Sequence, residues 1–268
     1  MKLRASLLIA VLMVGLIPVL AAEPASATTI TARSMLFKLS VKAESGNAAY
    51  SRSNFRHWVD ANGDCQNTRA EVLIAESKVA VRYTASRHCS VAKGKWYSYY
   101  DGRTWTNPAD VDIDHMVPLK EAWGSGARLW SANTRMRYAN DLGSYATLIA
   151  VTDNVNQSKS DKDPAQWLPP RTAARCTYAI QWVQVKYRWR LSIDSAERSR
   201  LSSILSGSCG SRSVTVPPRA STHSTTPAPS TYYENCTAVR AAGADPICRG
   251  DPGYASHLDR DGDGVGCE

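Results

Sequence analysis

The chain has 268 residues, 43% of them hydrophobic, with a formal charge of +8 and seven cysteines, none of them in a Cys-x-x-Cys pair, which argues against structural zinc. The charge is uneven: residues 28–210 hold 25 Lys+Arg against 16 Asp+Glu, whereas residues 232–268 hold 3 against 7. A basic body suits a polyanion such as nucleic acid and an acidic tail suits a cation, although a surface tuned for solubility gives the same balance.

At the N-terminus Lys2 and Arg4 precede an apolar run over 5–22, and Ala25-Ser26-Ala27 follows it. This pattern predicts a signal peptide over 1–27, cleaved after Ala27, and so a secreted, extracellular protein. Pro18 and the small-residue end count against a retained anchor, and no later stretch is apolar enough to span a bilayer. An oxidising compartment makes disulfides the default. The pairs favoured are Cys65 with Cys89, Cys176 with Cys209 and Cys236 with Cys267, which leaves Cys248 over, and other connectivities stay open.

The string DANGDCQNTRAE at 60–71 puts Asp60, Asn62, Asp64 and Glu71 at the spacing of EF-hand ligands, but Cys65 stands where that loop needs glycine, so a polar turn is preferred. Thr68-Arg69-Ala70-Glu71 reads as a capping box opening a short helix through Val72, Leu73 and Ile74. Runs at 79–83 and 96–100 read as strands, with a turn at Asp101-Gly102. DVDIDHMVPL at 110–119 places a β-branched strand before an Asp-His pair, and Pro118 stops it. In TLIAVTDNVNQSKSDKDP, residues 147–151 read as a second strand, and Asp153 as the N-cap of a helix bearing Asn154, Asn156 and Lys159. The segment 178–189 spaces Trp182, Val185 and Trp189 as the core face of a helix. Asp194 and Glu197 cap a last helix running to Gly207. Both kinds of element without a βαβ rhythm predict an α+β fold. A Ser/Thr/Pro-rich linker at 211–231 divides the body at 28–210 from a tail at 232–268 too small to fold without a disulfide or metal.

If the two strands pair, Asp114, His115 and Asn156 come together. Those types suit phosphodiester hydrolysis: carboxylate and amide oxygens for a hard divalent cation, an imidazole to take a proton from water, and a cation such as Lys159 to stabilise charge. A histidine ordered by an aspartate in a structural network is the plainer alternative.

The strings DIDHMVPL and DNVNQSK resemble the two arms of the ββα-metal HNH endonuclease site, and most of 33–210 resembles a family of secreted bacterial HNH endonucleases. The resemblance implies His115 as general base, Asp114 and Asn156 holding a magnesium or manganese ion, and Lys159 beside the phosphate. The asparagine that orients the histidine in that pattern falls at Thr147, so either Thr147 or Asn140 takes that role. The tail, with NCTAVRAAG at 235–243 and GDPGYASHLDRDGDGVGCE at 250–268, resembles the excalibur domain, which implies calcium held by Asp259, Asp261, Asp263 and Glu268.

These readings give a monomeric secreted endonuclease on DNA with little sequence specificity, with action on RNA and cell-wall association left open. Activity is expected to fall at acid pH as His115 protonates. The alternative is a calcium-dependent cell-surface binding protein whose HNH site has decayed, with Thr147 as its support.

Overall fold

A computed structural model describes residues 28–220, 222, 232–242, 244–248, 253–260 and 265–267. The signal-peptide reading over 1–27 lies outside the described residues.

In chain order the body begins with β1 (Thr29–Thr31) and α1 (Ala32–Leu36), followed by a loop to α2 (Thr68–Glu76). The cap of α2 is Asn67, whose side chain accepts from the Ala70 amide, one residue before the expected Thr68. The Thr68 hydroxyl donates instead to the Val59 carbonyl and to Asn140 Oδ1, because it is buried against another segment. The expected strands shorten to β2 (Arg82–Tyr83), paired with β3 (Val91–Lys93), and β4 (Trp96–Tyr97), paired with β5 (Thr104–Trp105). Residues 98–100 belong to the turn, where Gly102, at φ 81°, closes a bond to the Ser98 carbonyl.

The centre follows: β6 (Val111–His115), α3 (Leu119–Gly124), α4 (Ala132–Ala139), β7 (Leu148–Thr152) and α5 (Asp153–Lys159). Then come α6 (Arg175–Trp189), α7 (Ser195–Ile204), α8 (Gly207–Gly210) and β8 (Ser213–Thr215). The capping box at Asp194 and Glu197 forms as expected, and Trp182, Val185 and Trp189 are buried. The tail holds α9 (Cys236–Ala241), β9 (Ile247–Cys248) and β10 (Val265–Gly266). Helices mixed with two-stranded antiparallel sheets are consistent with α+β. No helix among the described residues is long and apolar enough to cross a membrane.

Three disulfides form, Cys65–Cys89, Cys176–Cys209 and Cys236–Cys267, the pairs favoured from the sequence. At 60–65 the chain makes the preferred polar turn: Asp60 accepts from the amides of Gly63 and Cys65, and Asp64 from that of Gln66.

The boundary at Gly210 needs correction. β8 pairs with β1 in antiparallel register, Val214 is buried, and the Ala220 amide donates to the Arg188 carbonyl. Residues 213–220 therefore pack with the body, because one buried valine and a strand edge outweigh the Ser/Thr/Pro-rich composition around them. A chain ending at Thr222 is expected to melt as the full-length body does, whereas one ending at Gly210 exposes the edge of β1 and melts lower. Equal melting of the two by circular dichroism would remove the structural role of β8.

Lys186, on the buried face of α6, is wholly enclosed and bonded to Glu121 at 2.6 Å and Glu197 at 2.7 Å. Glu44 and Asp163 close on Glu121 from outside, so several acids surround one lysine. The imbalance is met by protons. A hydrogen bond to Glu121, with burial, holds the Glu44 carboxyl up at about 8, and burial raises Glu197 to about 7. Burial likewise raises Glu76 to about 7. Each is protonated in the folded chain at a pH where the unfolded chain has lost the proton, so stability falls as pH rises from the ordinary carboxylate range towards 8. The melting temperature is expected to drop between pH 5.5 and 8.5, with a shallower slope in Glu44→Gln; an unchanged slope would show that Glu44 does not hold its proton.

Candidate active site

β6 and β7 pair antiparallel, Val111 against Thr152 through His115 against Leu148. Both faces of this hairpin are covered, which is why β7 reads as a continuous apolar run. Val111, Ile113, Leu148 and Ala150 pack with Val72, Leu73 and Trp96, while Ile149 and Val151 join the main core. Thr152 is the N-cap of α5 and Asp153 its first residue, so the helix starts one position earlier than expected, with no side-chain cap bond. α5 follows β7 directly, and it meets β6 through two side-chain pairs. Alternation puts Asp112 and Asp114 on one side of β6, and the three-residue spacing of Asn156 and Lys159 puts both on one side of α5. Asn156 Nδ2 donates to Asp112 Oδ2 at 3.1 Å, and Lys159 Nζ donates to both oxygens of Asp114 at 2.8 and 2.7 Å.

His115 ends β6 with only 6% of its surface exposed. Its Nε2 lies 2.9 Å from the Ala139 carbonyl. A carbonyl can only accept, so Nε2 carries the hydrogen and Nδ1 keeps its lone pair. The rings of Trp58 and Tyr138 lie nearly parallel to it, with centroids 5.6 and 6.4 Å away. Burial, with the positive charges of Arg52, His57 and Lys159, pulls the imidazole down to about 3, although the Ala139 carbonyl favours the charged ring. The ring is thus a neutral proton acceptor across the acid range in which an exposed histidine would be charged.

Neither expected orienting residue hydrogen-bonds this ring among the described residues. Thr147 Oγ1 donates to Asp141 Oδ2, and Asn140 spends its side chain on Val59, Thr68, Arg56 and Met136. The backbone carbonyl of Ala139 stands in their place, and a carbonyl can come from any residue type.

Lys159 is also not where the motif led. It is wholly buried, and its three ammonium hydrogens are spent on Asp114 Oδ1, Asp114 Oδ2 and the His115 carbonyl. With no donor left and no surface, it cannot reach a phosphate. Burial pushes the Asp114 carboxyl up and the Lys159 ammonium down, and each partner pulls the other back towards its charged form. Tyr100 donates a further bond to Asp114 Oδ2 at 2.7 Å.

A cleft of about 330 Å³ opens over this group, and Asp114, His115 and Asn156 all line it together with Arg52 and Asp161. Among the described residues Asp114 Oδ1 accepts from Lys159 alone, so a lone pair remains, and Asn156 Oδ1 accepts no hydrogen bond. A carboxylate and a side-chain amide lining one cleft are the ligand types that a hard divalent cation takes, so the residues present fit such an ion.

Residues 67–204, just over half of the chain, match the family model described as the C-terminal domain of GmrSD restriction endonucleases. The chain belongs to the GmrSD C-terminal-domain family. Residues 233–268 match the Excalibur calcium-binding domain. A fungal relative from Arthroderma benhamiae, described as an uncharacterized secreted protein, is 47% identical over 175 residues, covering 65% of this chain and 83% of the relative. This relative is fungal, where the sequence resemblance implies a bacterial family. No solved structure matches the chain.

The span matched by the GmrSD family holds every member of the cleft except Arg52, which precedes it. Sequence reasoning missed Arg52, Trp58, Tyr100, Ala139 and Asp112. Of these only Asp112 had a signal, its place two residues before Asp114 on the same side of a strand. In the Excalibur segment Asp259 is buried and accepts from the Tyr254 hydroxyl at 2.5 Å, whereas Asp261, Asp263 and Glu268 lie outside the described residues. Among the described residues the tail's buried core is Val239, Ile247, Leu258 and Cys267.

Proposed function

We propose that this GmrSD-family chain is a secreted, metal-dependent endonuclease of the HNH kind, hydrolysing phosphodiester bonds of DNA with little sequence preference and RNA as a second substrate. The observation that carries the reading is His115: its Nε2 is tied to the Ala139 carbonyl, and it lines the same cleft as Asp114 and Asn156. In this reading His115 Nδ1, left with its lone pair because Nε2 is committed to the Ala139 carbonyl, takes the proton of an attacking water. Asp114 and Asn156 would hold magnesium or manganese, and that cation would supply charge neutralisation at the phosphate and the leaving oxygen. Lys159 and Tyr100 fix the Asp114 carboxylate, so its free lone pair has one direction.

Export is supported by the signal-peptide pattern over 1–27, by the three disulfides and by the name of the fungal relative. We assign calcium to Asp259, Asp261, Asp263 and Glu268 of the Excalibur segment, and the active form to a monomer. The second reading, a calcium-dependent surface protein with a decayed site, drew its support from Thr147; it loses weight because the His115 ring is held without that residue.

Supercoiled plasmid and a single-stranded RNA, each incubated with the secreted protein in magnesium, manganese or EDTA, test the proposal. Nicking and linearisation with either metal, stopped by EDTA, is expected, and intact plasmid in every condition would overturn it. The tail is expected to act independently. Replacing both Cys236 and Cys267 by Ser removes a staple on the order of 3–4 kcal/mol for a loop of this size. That change should abolish calcium binding by the tail and leave plasmid cleavage unaltered; loss of both would show that the two parts are coupled.

A further inference from the structure

The proposed reaction needs a mobile or exposed cation at the scissile phosphate, and Lys159, the residue the motif offers, is buried with all its donors spent. We propose that Arg52 is the residue that binds the scissile phosphodiester and stabilises its developing charge, an inference that rests on the nuclease reading of the cleft. Arg52 lines the same cleft as Asp114, His115 and Asn156, its side chain is exposed, and it forms no ion pair among the described residues. The cleft's own acid, Asp161, lies 3.9 Å from Lys120 and forms no ion pair with Arg52, whose guanidinium neighbours the Tyr50 hydroxyl, so among the described residues a phosphate would displace no carboxylate from it. Five donors in a planar fork match two phosphate oxygens at once.

The backbone that carries Arg52 is fixed. It opens a short 3-10 turn over Arg52–Asn54, and the next residue, Phe55, is fully buried. Phe55 packs against Tyr50, Trp123 and Tyr138 with ring centroids 6.1 to 6.4 Å apart. Arg135 Nε donates to the Asn54 carbonyl at 2.9 Å. Beyond Phe55, Asn140 binds the Arg56 carbonyl at 2.9 Å and the Val59 amide at 3.1 Å. Asn140, expected to orient His115, instead ties down the strap that bears Arg52 and Trp58, immediately after the residue whose carbonyl holds His115. Arg52 and His115 are thus held to one frame at the C-terminal end of α4, and a guanidinium projecting from it costs little ordering when the phosphate arrives.

The test compares wild type, Arg52→Ala, Arg52→Lys and His115→Ala on supercoiled plasmid, with melting temperature as the folding check. Arg52→Ala is expected to melt like wild type, because its side chain is exposed, and to lose about 10²–10³-fold in kcat. Arg52→Lys should recover part of the loss, and millimolar guanidinium chloride should raise the rate of Arg52→Ala but not of His115→Ala. A purely structural role would give no such rescue. If Arg52→Ala does not fold, Arg52→Gln takes its place with the same expectation. Arg52→Ala cutting at the wild-type rate while His115→Ala is inactive would overturn this proposal and leave the nuclease reading standing. A wild type that cuts nothing would remove both.

Discussion

His115→Ala is expected to fold as wild type does and to cleave plasmid ~10²–10⁴-fold more slowly, the usual contribution of a positioned base. The loss should appear in kcat, with metal affinity nearly intact, because the ring is no ligand in this reading. Asp114→Ala and Asn156→Ala are expected to show the opposite pattern, with weakened magnesium or manganese binding and partial recovery at higher metal concentration. The pH profile separates this site from an exposed histidine. Burial with three neighbouring positive charges pulls His115 down to about 3, so the ring stays neutral at pH 5. The acid fall anticipated from an ordinary imidazole is therefore displaced to well below pH 6.5. A wild-type kcat that halves near pH 6.5 would place a different, exposed group in control of the rate. Folded His115→Ala cutting as fast as wild type would remove the HNH reading at its centre.

Lys159→Ala is expected to be the most damaging single change to stability. It leaves the Asp114 carboxylate buried at 5% exposure with Tyr100 as its remaining side-chain donor. Breaking a buried pair from one side costs on the order of 3–5 kcal/mol, whereas replacing both partners by apolar residues of similar volume is often neutral. The double variant Asp114→Leu with Lys159→Met should therefore recover most of the melting temperature and remain inactive. Added manganese should raise the melting temperature of Lys159→Ala more than that of wild type, since a cation then faces an unpaired carboxylate. A double variant no more stable than Lys159→Ala would show that the pair contributes something other than charge balance.

The sequence by itself determined the parts of this protein whose physics is local. The hairpin and its helix were legible because β-branched runs, Pro118 and a polar helix start lie in the order of the contacts they make. The core face of α6 was legible because 3.6-residue spacing is written into Trp182, Val185 and Trp189. The capping box at Asp194 and Glu197 needs only four residues. The three favoured disulfides formed, in part because each closes a loop of at most 33 residues.

Only the tertiary structure decided how the cleft is wired. Motif spacing brought Lys159 near Asp114 but could not say whether its ammonium would face the cleft or the interior, since that depends on α5 packing over Asp112 and Asp114. A backbone carbonyl has no signature in sequence, so the hold on His115 by Ala139 was invisible, and Thr147 and Asn140 were sought in its place. Arg52 and Trp58 reach the site from some sixty residues upstream through a strap pinned by Asn140, and no local pattern encodes a contact of that range. The edge strand at 213–215 was hidden for the same reason: composition reports whether a segment can bury itself alone, and β8 is held by burying Val214 against a body that composition does not describe.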